Sequence, residues 1–149
     1  MYRTILVPLD GSKRAEAILP HVEELAQRYE ARVVFFRVVE PPPLMVTPGQ
    51  PDMALHRREL ERRTEEAELY LTAIRGEFQQ LGIDARMELG HGAVVEAIIA
   101  AAARHEADLI ALASHGRSGL AQVFYGSVAA GILQRVDRPL LLVRSQTDA

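Results

Sequence analysis

Gly116, Gly126 and Ser127 are the residues whose types and spacing could do chemistry. An apolar run, Leu109 to Leu112, leads through the small residues Ala113 and Ser114 and then His115 to Gly116. Gly126-Ser127 follows at the head of a helical pattern. A strand, a glycine loop and a second glycine at a helix start let backbone N–H groups approach an anion with no Cβ in the way. The helix N-terminus adds unpaired donors and a partial positive charge. In this chemistry Gly116, Gly126 and Ser127 contact phosphates through N–H groups and one hydroxyl, and Arg117 supplies charge. Asp10, across the crevice, accepts from a ribose hydroxyl or an adenine amino group. The competing interpretation makes Gly116 and Gly119 turn glycines and Gly126 a helix-packing glycine.

Other chemistries are excluded or unsupported. The loop is not G-x-x-x-x-G-K-[ST], because it holds Arg117 and no lysine. The first turn, Pro8-Leu9-Asp10-Gly11-Ser12, has one glycine and is not G-x-G-x-x-G. No serine has a G-x-S-x-G context. The five histidines, His21, His56, His91, His105 and His115, do not form a metal-ligand pair on one helix face. His115 is expected in the loop, touching ligand or folding the turn, and His91 faces solvent. With no cysteine, disulfides, thiol catalysis and Cys-ligated zinc are out. A net charge of -3 argues against nucleic acid as the main partner. No apolar run approaches the ~18 residues that span a bilayer. Met1 to Ile5 runs into a strand-like segment without a signal-peptide layout, so a cytoplasmic location is the default expectation.

The elements that must position these residues alternate. At 149 residues, the chain is read as one domain. Ile5-Leu6-Val7 is a short buried strand, and Asp10 or Ser12 caps the next helix. That helix carries Ala15, Ile18, Val22, Leu25, Ala26 and Tyr29, with a kink expected at Pro20. A second strand spans Arg32 to Val39. A loop from Pro41 to about Pro51 is expected to be the most mobile part. A long helix spans about Asp52 to Leu81, with Leu60, Ala67, Leu71, Ile74, Phe78 and Leu81 on one face and a solvated charged face opposite. The third strand is Asp84 to Leu89, followed by a Gly90-His91-Gly92 turn and a helix with Val94, Val95, Ile98, Ile99 and Ala102. The fourth strand is Asp108 to Ala113. A helix from Val123 to Val136, a fifth strand Leu140 to Val143 and a frayed tail Ser145 to Ala149 complete the chain. Alternation implies a parallel sheet with helices on both faces. Ligands then sit at strand carboxyl ends where strand order reverses, between Pro8–Ser12 and Ala113–Gly119.

The chain resembles the universal stress protein family over nearly its whole length. The likeness lies in Ile5-Leu6-Val7-Pro8-Leu9-Asp10-Gly11-Ser12, in Ser114 to Gly119, in Gly126-Ser127 and in Arg138-Pro139-Leu140-Leu141-Leu142-Val143. That family's nucleotide-binding branch carries G-x-x-G, nine residues, then G-[ST]. Here Gly116 is the second glycine, and Arg117 to Tyr125 separate it from Gly126-Ser127. Ala113 holds the first position in place of glycine, and Val94 stands where the family often has proline.

The resemblance implies an open five-stranded α/β fold, order 3-2-1-4-5. It implies ATP or AMP in the crevice, with Mg2+ as an optional companion of the phosphates, and homodimers through the last strand, Leu140–Val143. Carried over, Pro8, Leu9 and Asp10 flank the adenosine and Val38 packs on the base. Ala113, His115, Gly116, Arg117, Gly126, Ser127 and Val128 surround ribose and phosphates. The leading expectation is a nucleotide-binding regulatory stress-response dimer acting through protein partners. The alternatives are a dimeric interaction protein with an empty crevice and a slow ATPase, for which the loop offers only Ser114, His115 and Ser118. A pyrophosphate-releasing synthetase needs S-G-G-x-D-S after strand one, which Leu9 to Ser12 does not supply.

Overall fold

A computed structural model describes residues 1–44, 46–47, 50–115 and 126–145. Five strands form one sheet: β1 (Thr4–Pro8), β2 (Arg32–Val39), β3 (Ala85–His91), β4 (Leu109–His115) and β5 (Leu140–Ser145). Their order is β3-β2-β1-β4-β5 and all neighbours are parallel, the 3-2-1-4-5 order expected from the resemblance. The helices are α1 (Leu19–Tyr29), α2 (Met53–Gln80), α3 (Val94–Arg104) and α4 (Gly126–Arg135). None among the described residues is long and apolar enough to cross a membrane.

Strand side chains alternate between faces, so the buried runs divide into two cores. Ile5, Val7, Val33, Phe35 and Ala111 join Val22 and Ala26 of α1 and Leu71, Ile74 and Phe78 of α2. Phe35 and Phe78 meet edge to face at 4.9 Å. Leu6, Val34, Phe36, Ile110 and Leu112 join Ile98 and Ala102 of α3 and Ala129 and Ile132 of α4. Buried apolar neighbours on both faces explain the continuous apolar strands.

Several boundaries differ from the sequence-based expectation. Pro20 causes no mid-helix break: Ala15–Ile18 is a 3-10 turn, and Pro20 falls in the first turn of α1, where its missing N–H is an orphan anyway. Leu81 is 46% exposed and not part of the buried face of α2. The Pro41–Pro51 loop carries a two-residue antiparallel ladder, Val46–Thr47 with Gln50–Pro51. β3 continues through Gly90 and His91, and only Gly92, at φ +94, makes the turn. A Cβ on Gly90 would lie 2.8 Å from Phe36 Cε1, so this glycine makes room for a ring on the neighbouring strand. β4 runs on through Ser114 and His115, paired with Arg144 and Ser145, which moves both His115 and Ser145 from expected loop and tail into the sheet.

Polar contacts hold the switch point together. Asp108 Oδ1 accepts from Arg3 N–H at 3.1 Å and Thr4 N–H at 3.1 Å, fastening the start of β4 to β1. Arg138 Nη1 donates to the carbonyls of Ala102 and Ala107 at 2.9 and 2.8 Å, anchoring the entry to β5.

Candidate functional site

β1 and β4 are paired only at Ile5↔Leu109 and Leu6↔Ile110. Beyond Leu6 the two strands part, because their chains leave toward helices on opposite faces of the sheet. A crevice of about 140 Å³ opens there. Pro8, Leu9 and Asp10 line it from β1, Val38 from β2 and Ala113 from β4. Gly126, Ser127 and Val128 line it from the start of α4. Eight of the residues singled out from the sequence therefore share one cavity. His115 ends β4, and Gly116 and Arg117 lie outside the described residues.

The Asp10 turn is built locally. Asp10 Oδ1 accepts from Ser12 N–H at 2.9 Å and from Ser12 Oγ–H at 2.6 Å. Ser12 Oγ in turn accepts from Ala15 N–H at 3.1 Å, capping the 3-10 turn. Ser12 is thus the cap and Asp10 its brace, and neither bond uses Asp10 Oδ2. Asp10 is exposed at the crevice mouth.

The backbone of Val38 is positioned by the early end of β1. Val33 N–H donates to Asp84 O on the β3 side, while Leu9 N–H donates to Phe36 O at 2.8 Å from the β1 side. Odd residues of β2 therefore face β3 and even ones face β1. The β1–β2 register ends at Pro8↔Phe36. Val38 comes two residues later, so its N–H and C=O point past the end of β1 toward the crevice. At the opposite wall, α4 starts at Gly126, whose φ is +74, a conformation that favours glycine. The first-turn N–H groups of this ten-residue helix have no intrahelical acceptor. Ser127 is exposed beside them.

Sequence reasoning missed the apolar floor, Phe36, Val94, Ile98, Leu112 and Ala129, and one cation, Arg14. Strand alternation could have found Phe36 and Leu112, which follow Leu6 onto the same face. No sequence signal separated Arg14 from Lys13.

A second hollow of about 400 Å³ continues over Leu9, Asp10 and Val38 to the α2 face, where Arg37, Arg63 and Glu66 line it. Arg37 lies 5.2 Å from the centre of the Tyr70 ring and 3.9 Å from Glu66. Burial pushes the Tyr70 phenol up, with Glu16 and Asp10 adding to the rise and Arg37 opposing it. Tyr70 donates to Glu16 Oε2 at 3.1 Å. Hydrogen bonds from Arg62 and then Arg63 hold the Glu59 carboxyl down to about 2. Among the described residues, no group of three or more His, Cys, Asp or Glu is placed to hold a metal ion.

Comparison with known proteins agrees with this architecture. A universal stress protein from Thermus aquaticus, encoded in a QAH/OAS sulfhydrylase 3' region, is 32% identical over 146 residues, covering 97% of this chain and all of its own. The solved structure of MJ0577, a universal stress protein of Methanocaldococcus jannaschii, superposes with a TM-score of 0.83 at 26% identity, covering 100% of this chain and 99% of that one. An Archaeoglobus fulgidus universal stress protein, solved in complex with dAMP, shares the fold at 19% identity and a TM-score of 0.68, covering 95% and 98% of the two chains. Residues 1–144 match the model of the universal stress protein family, and the chain belongs to that family.

Proposed function

We propose that this protein binds an adenine nucleotide, ATP or AMP, in the β1/β4 crevice and acts as a regulatory homodimer in a stress response. The observation that carries the reading is the pair of unladdered main-chain groups on Val38 facing the same cavity as the N-terminus of α4. An N–H beside a C=O matches the adenine edge, which offers an acceptor nitrogen and an amino donor. The apolar floor of Phe36, Ile98 and Leu112 suits a purine face. Asp10 Oδ2 would accept from ribose. Gly126, Ser127 and Val128 would hold phosphate through backbone N–H groups, and Mg2+ would enter on the phosphate oxygens. Gly116, Arg117 and His115 complete the phosphate side in this reading. The dAMP held by the Archaeoglobus fulgidus protein supports an adenine ligand here.

The dimer is proposed through β5. Ile110 N–H donates to Pro139 O, so odd residues of β5 face β4 and the main-chain groups of Leu140, Leu142 and Arg144 face outward. An apolar outer strand of this kind is a template for a second copy. The place of action is proposed as the cytoplasm.

Calorimetric titration with ATP tests the site. Native protein is expected to bind, Gly126→Val to lose binding, and Ser127→Ala to bind several-fold more weakly with its backbone unchanged. Unaltered affinity in both variants would place the nucleotide elsewhere.

A further inference from the structure

We infer that Arg14 makes the crevice selective for a phosphorylated adenosine over the uncharged nucleoside, an inference that rests on the nucleotide reading above. Arg14 lines the same cavity as Ala113, Gly126 and Ser127. It stands immediately before the 3-10 turn Ala15–Ile18, held by Ala17 N–H donating to its carbonyl at 3.2 Å. Its backbone is therefore fixed by the same capped turn that sets Asp10.

Among the described residues no carboxylate stands within ion-pair distance of its guanidinium. Lys13 pairs with Glu16 Oε1 at 3.9 Å with its side chain 78% exposed, away from the crevice. The other Glu16 oxygen takes the Tyr70 hydroxyl. Among the described residues the Arg14 guanidinium has no hydrogen bond or ion pair; the Asp10 carboxylate, which lines the same cavity, makes its bonds to Ser12. A half-buried guanidinium beside an apolar floor and a helix N-terminus is arranged for an oxyanion. Its planar fork suits two phosphate oxygens, which a lysine ammonium would meet only as a point charge. Adenosine leaves this group without a partner, and AMP or ATP supplies one.

The test compares ATP and adenosine by calorimetry, at low and high salt, for native protein, Arg14→Gln, Arg14→Lys and Lys13→Gln. In Arg14→Gln the ratio of ATP to adenosine affinity is expected to fall about tenfold or more, with a shallower salt dependence. Arg14→Lys should recover part of the ratio, and Lys13→Gln should keep the native value. Equal losses for both ligands, or an unchanged ratio, would overturn the inference while leaving the nucleotide site standing. Failure of the native protein to bind ATP at all would remove the nucleotide reading and this inference with it.

Discussion

Gly11 and Arg37 are in contact across the β1 turn: a Cβ on Gly11 would fall 2.9 Å from Arg37 Nη1 and 3.0 Å from its Cζ. Gly11 also holds φ at +88, which side chains other than glycine rarely adopt. The guanidinium sits between this turn and the Tyr70 ring of α2. The turn beside Asp10 is thereby seated on the α2 face of the molecule. Gly11→Ala is expected to cost about 1–3 kcal/mol, from backbone strain with some help from the contact. It should also weaken ATP binding by displacing Asp10. Urea unfolding and calorimetry check the two effects; a variant as stable as the native chain would show that the turn relaxes freely.

Phe36 and Gly90 make a second close pair, on β2 and β3, and Phe36 forms part of the crevice floor. Gly90→Ala should destabilise by about 1–3 kcal/mol through overpacking. Phe36→Leu should relieve most of that cost, so a double-mutant cycle should show strong coupling between the two positions. Additive effects would mean the ring is not what Gly90 accommodates.

Glu88 on β3 gives a pH dependence. Burial pushes its carboxyl up, but hydrogen bonds from Arg104 and His105, at 2.8 and 2.7 Å, outweigh that and hold it below its ordinary value. A depressed folded-state value means the contribution is fully present above the unfolded Glu value of ~4.3. It is lost as pH falls through the folded value. The stability advantage of native protein over Glu88→Gln should therefore be full at neutral pH and shrink in acid, as read from urea midpoints at several pH values. An advantage independent of pH would assign the effect to packing.

The outer face of β5 supplies a test of assembly. Leu142→Lys should give monomers by sedimentation. Because Leu142 also packs against the α3–α4 core, a second variant is needed. Arg144→Pro removes an N–H that faces away from β4 on an exposed residue, a change an edge strand tolerates. It should yield a folded protein with weakened pairing. Native-like dimers from both variants would place the interface on another surface.

Much of this architecture was legible because the strands are apolar on both faces. Arg32–Val39 is readable at the observed span of β2 because its apolar run stops at Glu40 and Pro41-Pro42-Pro43. The sequence pattern ends β3 and β4 short for a common reason: Gly90 and Ser114-His115 look like turn chemistry, while tertiary pairing carries both strands on through the sheet. Gly90 is small to admit Phe36, a long-range fact absent from local spacing. Pro20 looked like a helix breaker because the preceding 3-10 turn shares the apolar periodicity of α1. Of the site, the residues on strand ends and at the head of α4 were visible, whereas Arg14 needed the crevice to distinguish it from Lys13.

Mass spectrometry of small molecules released by denaturing freshly purified protein tests for a nucleotide in the crevice. An adenine nucleotide, ATP, ADP or AMP, is expected from the native sample and none from Gly126→Val prepared alongside. Native protein that releases no nucleotide and gives no heat with ATP, with or without Mg2+, would contradict the nucleotide reading and favour a dimer that works through its protein surface alone.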